Sequence, residues 1–208
     1  MTSDTNGVSA IDLAPGDYRI VASEWRRDAS AQLSNLTSGS GEGDEAIWHL
    51  HDIVRADGTT VMEVVDDRRA MEGLSPSGRQ FLFRSPDGTP LMAYEREGYM
   101  VGTGVTLQEV ATGDVLGTWD GSSFLMTTWD LSDPDGNPWA TAKRQWSLSG
   151  LVYPEYALTG ADGSGIGDLS VNQDGLFYSM DVSLGRCPVP AEVLLAMAYG
   201  IFWANSET

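Results

Sequence analysis

The 208-residue chain carries two histidines, His49 and His51, and they stand two positions apart. On a regular strand that spacing sends both side chains to one face, a placement compatible with a metal ion. Asp52 and Asp66 are nearby carboxylates, but spacing does not name a third ligand. The expectation is therefore two surface histidines and no metal. The segment 130–137 (DLSDPDGN) has the look of a calcium loop. Setting its glycine at the sixth EF-hand position puts Leu131 at the first position and Ala142 at the twelfth, where Asp and Glu are needed. A tight acidic turn is the expected structure. The glycine-rich run 163–167 (GSGIG) is followed by no Walker lysine, so it reads as a hairpin turn with a bulge.

No Ser-His-Asp elbow is present, and the single cysteine, Cys187, precedes Pro188. One cysteine excludes an internal disulfide and a cysteine-built metal knot. No catalytic residue, metal ligand or cofactor site is assigned, the ligand-binding residues stay unknown, and a non-enzymatic protein is expected. Trp119, Trp129, Trp139 and Trp146 fall on neighbouring expected strands, and core packing is the expected use of all four.

The elements that must position these residues follow from turn chemistry. Asp57-Gly58, Pro86-Asp87-Gly88, Thr112-Gly113-Asp114, Pro134-Asp135-Gly136, Ala161-Asp162-Gly163 and Gln173-Asp174-Gly175 each separate short apolar-alternating runs. Asp-Gly between such runs is a strong hairpin signal, because glycine accepts positive φ. Strands are predicted over 17–25, 46–55, 59–66, 78–84, 89–97, 99–110, 113–119, 122–130, 137–147, 155–160, 166–171 and 176–183. A disordered N-terminus is expected over 1–16, with a single domain over 17–208. Within it, residues 28–45 read as a mobile acidic loop, and 66–74 as one or two helical turns.

The segment 190–204 (PAEVLLAMAYGIFWA) differs from all others. Its large apolar residues cover every side of a helical wheel, Pro190 suits the first helical position, and Glu192 suits the positive end of the helix dipole. At about fifteen residues it falls short of the roughly 20 that span a bilayer. A helix buried inside the sheet is predicted.

Charge bounds the partners. Twelve Lys+Arg against 30 Asp+Glu give a net charge of −18, and Lys143 is the only lysine. Such a surface repels nucleic-acid phosphates and anionic lipid at ordinary ionic strength. The acids are spread from Asp4 to Glu207 rather than gathered in a tail, a composition suited to molar salt, where screening acts over roughly 3 Å. A salt-adapted source is expected. Residues 1–15 show neither a basic stretch nor an apolar run, so a cytoplasmic location is expected, and the chain is expected to be a monomer.

The repeated units "FLFRSPDGTPLMAYERE", "FLMTTWDLSDPDGNPWATAKRQW" and "YALTGADGSGIGDLSV", followed by "PAEVLLAMAYGIFWAN", resemble the tubby C-terminal-like superfamily, in its phospholipid scramblase and LURP-one-related branch. The resemblance covers about 79–204 and, more weakly, 18–66. It implies a mainly β fold, an antiparallel closed barrel of about twelve strands around a central hydrophobic C-terminal helix. It also implies a binding module whose partner is a protein, a small ligand or a peripheral membrane surface, with lipid translocation as the alternative. The chain departs from the scramblases at 181–188, where no acidic calcium-binding run stands, and in lacking a cysteine cluster for acylation. Its acidity also leaves no counterpart of the basic patch with which tubby proteins hold phosphoinositides.

Overall fold

A computed structural model describes residues 13–23, 47–67, 80–97, 104–121, 127–146, 153–174 and 177–206. Twelve strands are joined in sequence order: β1 (Gly16–Ala22), β2 (Ile47–Arg55), β3 (Thr60–Asp67), β4 (Gln80–Arg84), β5 (Pro90–Glu97), β6 (Gly104–Glu109), β7 (Val115–Gly121), β8 (Thr128–Ser132), β9 (Pro138–Gln145), β10 (Glu155–Gly160), β11 (Gly165–Asp174) and β12 (Phe177–Leu184). Each pairs antiparallel with its sequence neighbours, and β1 also pairs with β12 through Arg19↔Asp181 and Ile20↔Met180, which closes the barrel. The helix α1 (Ala191–Ser206) completes the fold.

The hairpins joining β2–β3, β4–β5, β6–β7, β8–β9 and β10–β11 all lie at one end of the barrel, because strand direction alternates. Local chemistry builds them. Between β2 and β3, Gly58 N–H donates to the Arg55 carbonyl at 2.9 Å, and Arg55 N–H donates to the Thr59 carbonyl at 2.9 Å. Gly58 closes the turn at φ 84°, a value L-residues rarely adopt. The Asp57 carboxylate accepts the Thr59 N–H at 2.9 Å. The same closure recurs from Ser85 to Thr89, Asp133 to Asn137 and Gly160 to Ser164. These bonds hold the Asp57, Asp133 and Asp162 carboxyls below the usual aspartate range, and Ser85 and Thr89 pull Asp87 down to about 2. The expected tight acidic turn at 130–137 is thereby observed, with Asp133 accepting Asn137 N–H at 2.7 Å and its side-chain amide at 2.9 Å.

The turn and bulge expected at 163–167 are likewise present. Gly163 takes φ 80°, and the β10–β11 register slips between Leu158 and Thr159. At Gly167 a Cβ would lie 2.1 Å from the Ser183 carbonyl oxygen, so only glycine lets β11 approach β12 there.

Helix α1 fills the barrel. Val193, Leu194, Leu195, Met197, Tyr199, Ile201 and Phe202 are buried to 2% or less. The inward residues of the strands, among them Ile20, Ile53, Met62, Phe83, Leu107, Leu131, Leu158 and Met180, pack around it. The helix enters at the tight-hairpin end, beside Leu184 and Gly185. It ends near the start of β10, where the Asn205 side-chain amide donates to Tyr156 Oη at 3.1 Å and to the Ile201 carbonyl at 2.7 Å. Gly200 is the point of closest approach: a Cβ would stand 3.1 Å from both Trp119 Nε1 and Tyr94 Cε2. The apolar wheel predicted burial; the contact with β5 and β7 explains the glycine inside it.

Several expected boundaries shift. Gly16 already belongs to β1, and Leu13 is buried, so the barrel reaches before residue 17. Tyr18 Oη–H donates to the Ala14 carbonyl. Strand β8 continues to Ser132, and β11 continues to Asp174 through Asn172↔Ser179 and Gln173↔Tyr178, because the partner strand supplies a ladder that local pattern does not reveal. Strand β3 holds Asp66 and Asp67 in extended backbone in place of the expected helical turn. The rest of that turn and the acidic loop 28–45 lie outside the described residues.

Candidate functional site

The interior holds an imidazole ring packed among aromatic side chains. His51 points inward and is 2% exposed, with Nδ1 3.2 Å from Tyr199 Oη. Its ring meets Phe202 edge-on at 5.1 Å, Tyr199 at 5.5 Å and Trp203 at 6.1 Å. Phe81 joins the same cluster, 4.9 Å from Trp203 and 5.3 Å from Tyr199. This is an aromatic core around one imidazole.

The two histidines do not share a face. His49 pairs with Val65 while His51 pairs with Val64, so two steps along β2 meet one step along β3. Leu50 is the extra residue of a bulge, and the alternation that spacing assumed breaks there. His49 therefore faces outward. The same bulge brings His49 onto the face of Asp52, and Nε2 lies 2.8 Å from Asp52 Oδ1. Asp52 opposes Glu63 across β2–β3, and Glu63 opposes Arg84 across β3–β4. Arg84 Nε donates to Glu63 Oε2 at 2.6 Å. One ligand atom each from His49, Asp52 and Glu63 all lie within 4.8 Å of one another. Asp52 was visible as a neighbour in sequence. Glu63 was not, because it arrives only through strand register, and Asp66 opposes Trp48 instead.

A second outer feature is a groove of about 570 Å³ across β2, β1, β12 and β11, near the tight-hairpin end. Asp17, Arg19, Arg55, Asp168 and Asp181 give it both signs of charge. Arg19 Nε donates to Asp181 Oδ1 at 2.5 Å, Asn172 Nδ2 donates to Asp181 Oδ2 at 2.8 Å, and Ser183 Oγ donates to Asp17 Oδ1 at 2.8 Å.

The tryptophans divide. Trp119 and Trp129 are buried inside the barrel at 1% and 2%, and Trp139 is partly buried against the core. Trp146 corrects the expected packing: it is 65% exposed, with the Arg144 guanidinium 5.0 Å over its ring. It follows Gln145, the last residue of β9, where the alternation of the strand has ended. Cys187 is half-buried, its thiol 3.4 Å from the Val189 carbonyl. Lys143 is exposed on the outer wall.

Among the described residues no helix is long and apolar enough to cross a membrane. The strands place Asp17, Arg19, Asp130, Lys143, Asp168 and Ser183 outward and most of the buried aliphatic residues inward. That inverts the apolar-outside, polar-inside plan of a transmembrane barrel.

These features define a class: a closed antiparallel twelve-stranded barrel wound about its own C-terminal helix. The fold is similar to that of an Arabidopsis thaliana protein solved by X-ray crystallography, AT5G01750, a LURP-one-related protein, with a TM-score of 0.51 at 10% identity over 93% of this chain and 94% of that one. At that identity the likeness concerns the fold. No protein-family model and no curated protein matches the sequence.

Proposed function

We propose that the chain is a non-enzymatic binding module of the LURP-one-related, tubby-like kind, which engages a protein partner on its outer wall. One observation carries this reading: α1 occupies the barrel axis and its side chains are buried to near zero, so binding falls to the outside. The groove across β2, β1, β12 and β11 is the surface best suited, because fixed charges of both signs recognise a mixed-charge peptide segment. A nucleic acid or an anionic membrane would meet a chain of net charge −18. We place this module in the cytoplasm as a monomer of a salt-adapted cell, on the composition of its sequence.

The test is cross-linking with mass spectrometry in extract of the source cells, beside a lipid assay. Partner cross-links are expected to cluster around Arg19 and Arg55, and to be lost when both are changed to Glu. Vesicles with fluorescent lipid in about 2 M KCl, where surface charge is screened, are expected to show no transbilayer movement above protein-free vesicles, with or without calcium. Cross-links centred elsewhere would sink the groove assignment, and lipid movement would favour the scramblase alternative.

A further inference from the structure

The outer wall at the β2 bulge carries a donor set with the composition and reach of a metal site. His49 offers Nε2, and Asp52 and Glu63 each offer a carboxylate oxygen, all mutually within 4.8 Å. We propose that His49, Asp52 and Glu63 bind a divalent first-row transition ion, Zn²⁺ being the best fit to one imidazole and two carboxylates.

Three features argue for a built site over a chance meeting of surface charges. The bulge at Leu50 is what turns His49 to the side of Asp52; without it, residues three apart on a strand face opposite ways. Arg84 holds Glu63 by one oxygen at 2.6 Å, a hydrogen bond that would fix the orientation of a ligating carboxylate. The side chains are only partly exposed, at 26% for His49, 19% for Asp52 and 17% for Glu63. Val65 and Leu82, which continue the row of His49 on the next two strands, are buried at 0% and 8%. The donors thus stand beside an apolar floor, where an ion is less diluted by solvent than among the scattered surface acids.

Metal binding draws the donors to one spacing, closing the pairs that now stand as far as 4.8 Å apart and opening the shortest. Two donors at 2.0–2.1 Å from a tetrahedral Zn²⁺ lie about 3.3 Å apart. The His49–Asp52 contact of 2.8 Å must therefore open by ~0.5 Å, within the reach of one χ rotation. In the metal-free protein, His49 and Arg84 meet the two carboxylates instead. The ion replaces the His49–Asp52 hydrogen bond, clamps β2 to β3 across the bulge, and keeps its fourth position toward solvent for water.

The experiment is calorimetric titration of the full chain with Zn²⁺ alone, after treatment with chelator, in buffer with at least 0.15 M salt so that diffuse binding is screened. One site per chain is expected. His49→Ala and the near-isosteric Glu63→Gln should each weaken binding at least tenfold, and Asp66→Asn should leave it unchanged. Co²⁺ should give the intense visible absorption of a tetrahedral ion in the unchanged protein and not in His49→Ala. Circular dichroism identifies any variant that fails to fold, and Glu63→Gln then decides. No saturable uptake, several equal sites, or one site indifferent to His49→Ala and Glu63→Gln would each overturn the assignment.

Discussion

His49 and His51 stand two residues apart on β2 and face opposite sides of the barrel wall. One sits on the outer wall among Asp52, Glu63 and Arg84; the other is sealed among Phe81, Tyr199, Phe202 and Trp203. The inner surface of the barrel is apolar and filled, whereas the outer surface is charged and cross-linked by side-chain hydrogen bonds. The difference shows how a closed barrel separates two environments by alternation: inward positions pack against the helix and outward positions carry the charge. Where alternation is broken, at Leu50, a residue is moved between the two regimes.

The sharpest way to break that contrast is to charge the inside. Leu194 is 1% exposed at the barrel axis. Leu194→Asp buries a carboxylate with no partner and should cost at least about 4 kcal/mol, enough to abolish cooperative folding of a marginally stable domain. Urea or thermal denaturation followed by circular dichroism checks this. A chain truncated before Pro190 should show no cooperative transition, and a folded monomer from it would place the helix outside the core.

The two histidines supply a paired test. His51→Ala empties a site walled by three rings and removes the ring nitrogen beside Tyr199 Oη, so a loss of about 2–4 kcal/mol is expected. His49→Ala on the outer wall should stay within about 0.5 kcal/mol in metal-free protein. Equal losses in the two melts would contradict the division into filled interior and solvated outer wall.

The smallest effects belong to the charges outside. With net charge −18, folding is opposed by self-repulsion, and the midpoint of thermal unfolding should rise by several degrees from dilute buffer to molar KCl. A flat response would remove the inference of a salt-adapted source. Acid acts on the hairpin end in the opposite sense. The Asp87 carboxyl is held at about 2 by Ser85 and Thr89, below its unfolded value near 3.8. A depressed pKa in the folded state means stabilisation present above about pH 4 and lost as pH falls toward 2. Asp87→Asn should reduce that slope, read from denaturation midpoints between pH 4.5 and 2; an unchanged slope would count against the turn bonds.

Much of this was legible in the chain because much of it is local. A hairpin is decided by a few consecutive residues, so Asp57-Gly58, Asp87-Gly88, Asp135-Gly136 and Asp162-Gly163 marked turns without reference to anything distant. The 155–160 strand and the buried helix were equally plain, since period two and an apolar wheel are properties of one segment. The strand list reached twelve from turns and alternation, whereas closure of the barrel about the helix came with the family resemblance of the repeated units, and the pairing of β1 with β12 bears it out.

What the sequence determined by itself, then, is the set of elements and their inward and outward faces. Tertiary structure alone decided which outward residues meet. Glu63 and Arg84 reach His49 and Asp52 only through the registers of β2–β3 and β3–β4, and Leu50 turns His49 outward only because β3 offers one residue opposite two. Gly167 and Gly200 are likewise explained by Ser183 and Trp119, residues distant in sequence. The physical reason is common to all of these: turn and helix propensities act within a few residues, whereas cross-strand register is set by the closure of the whole barrel around its core.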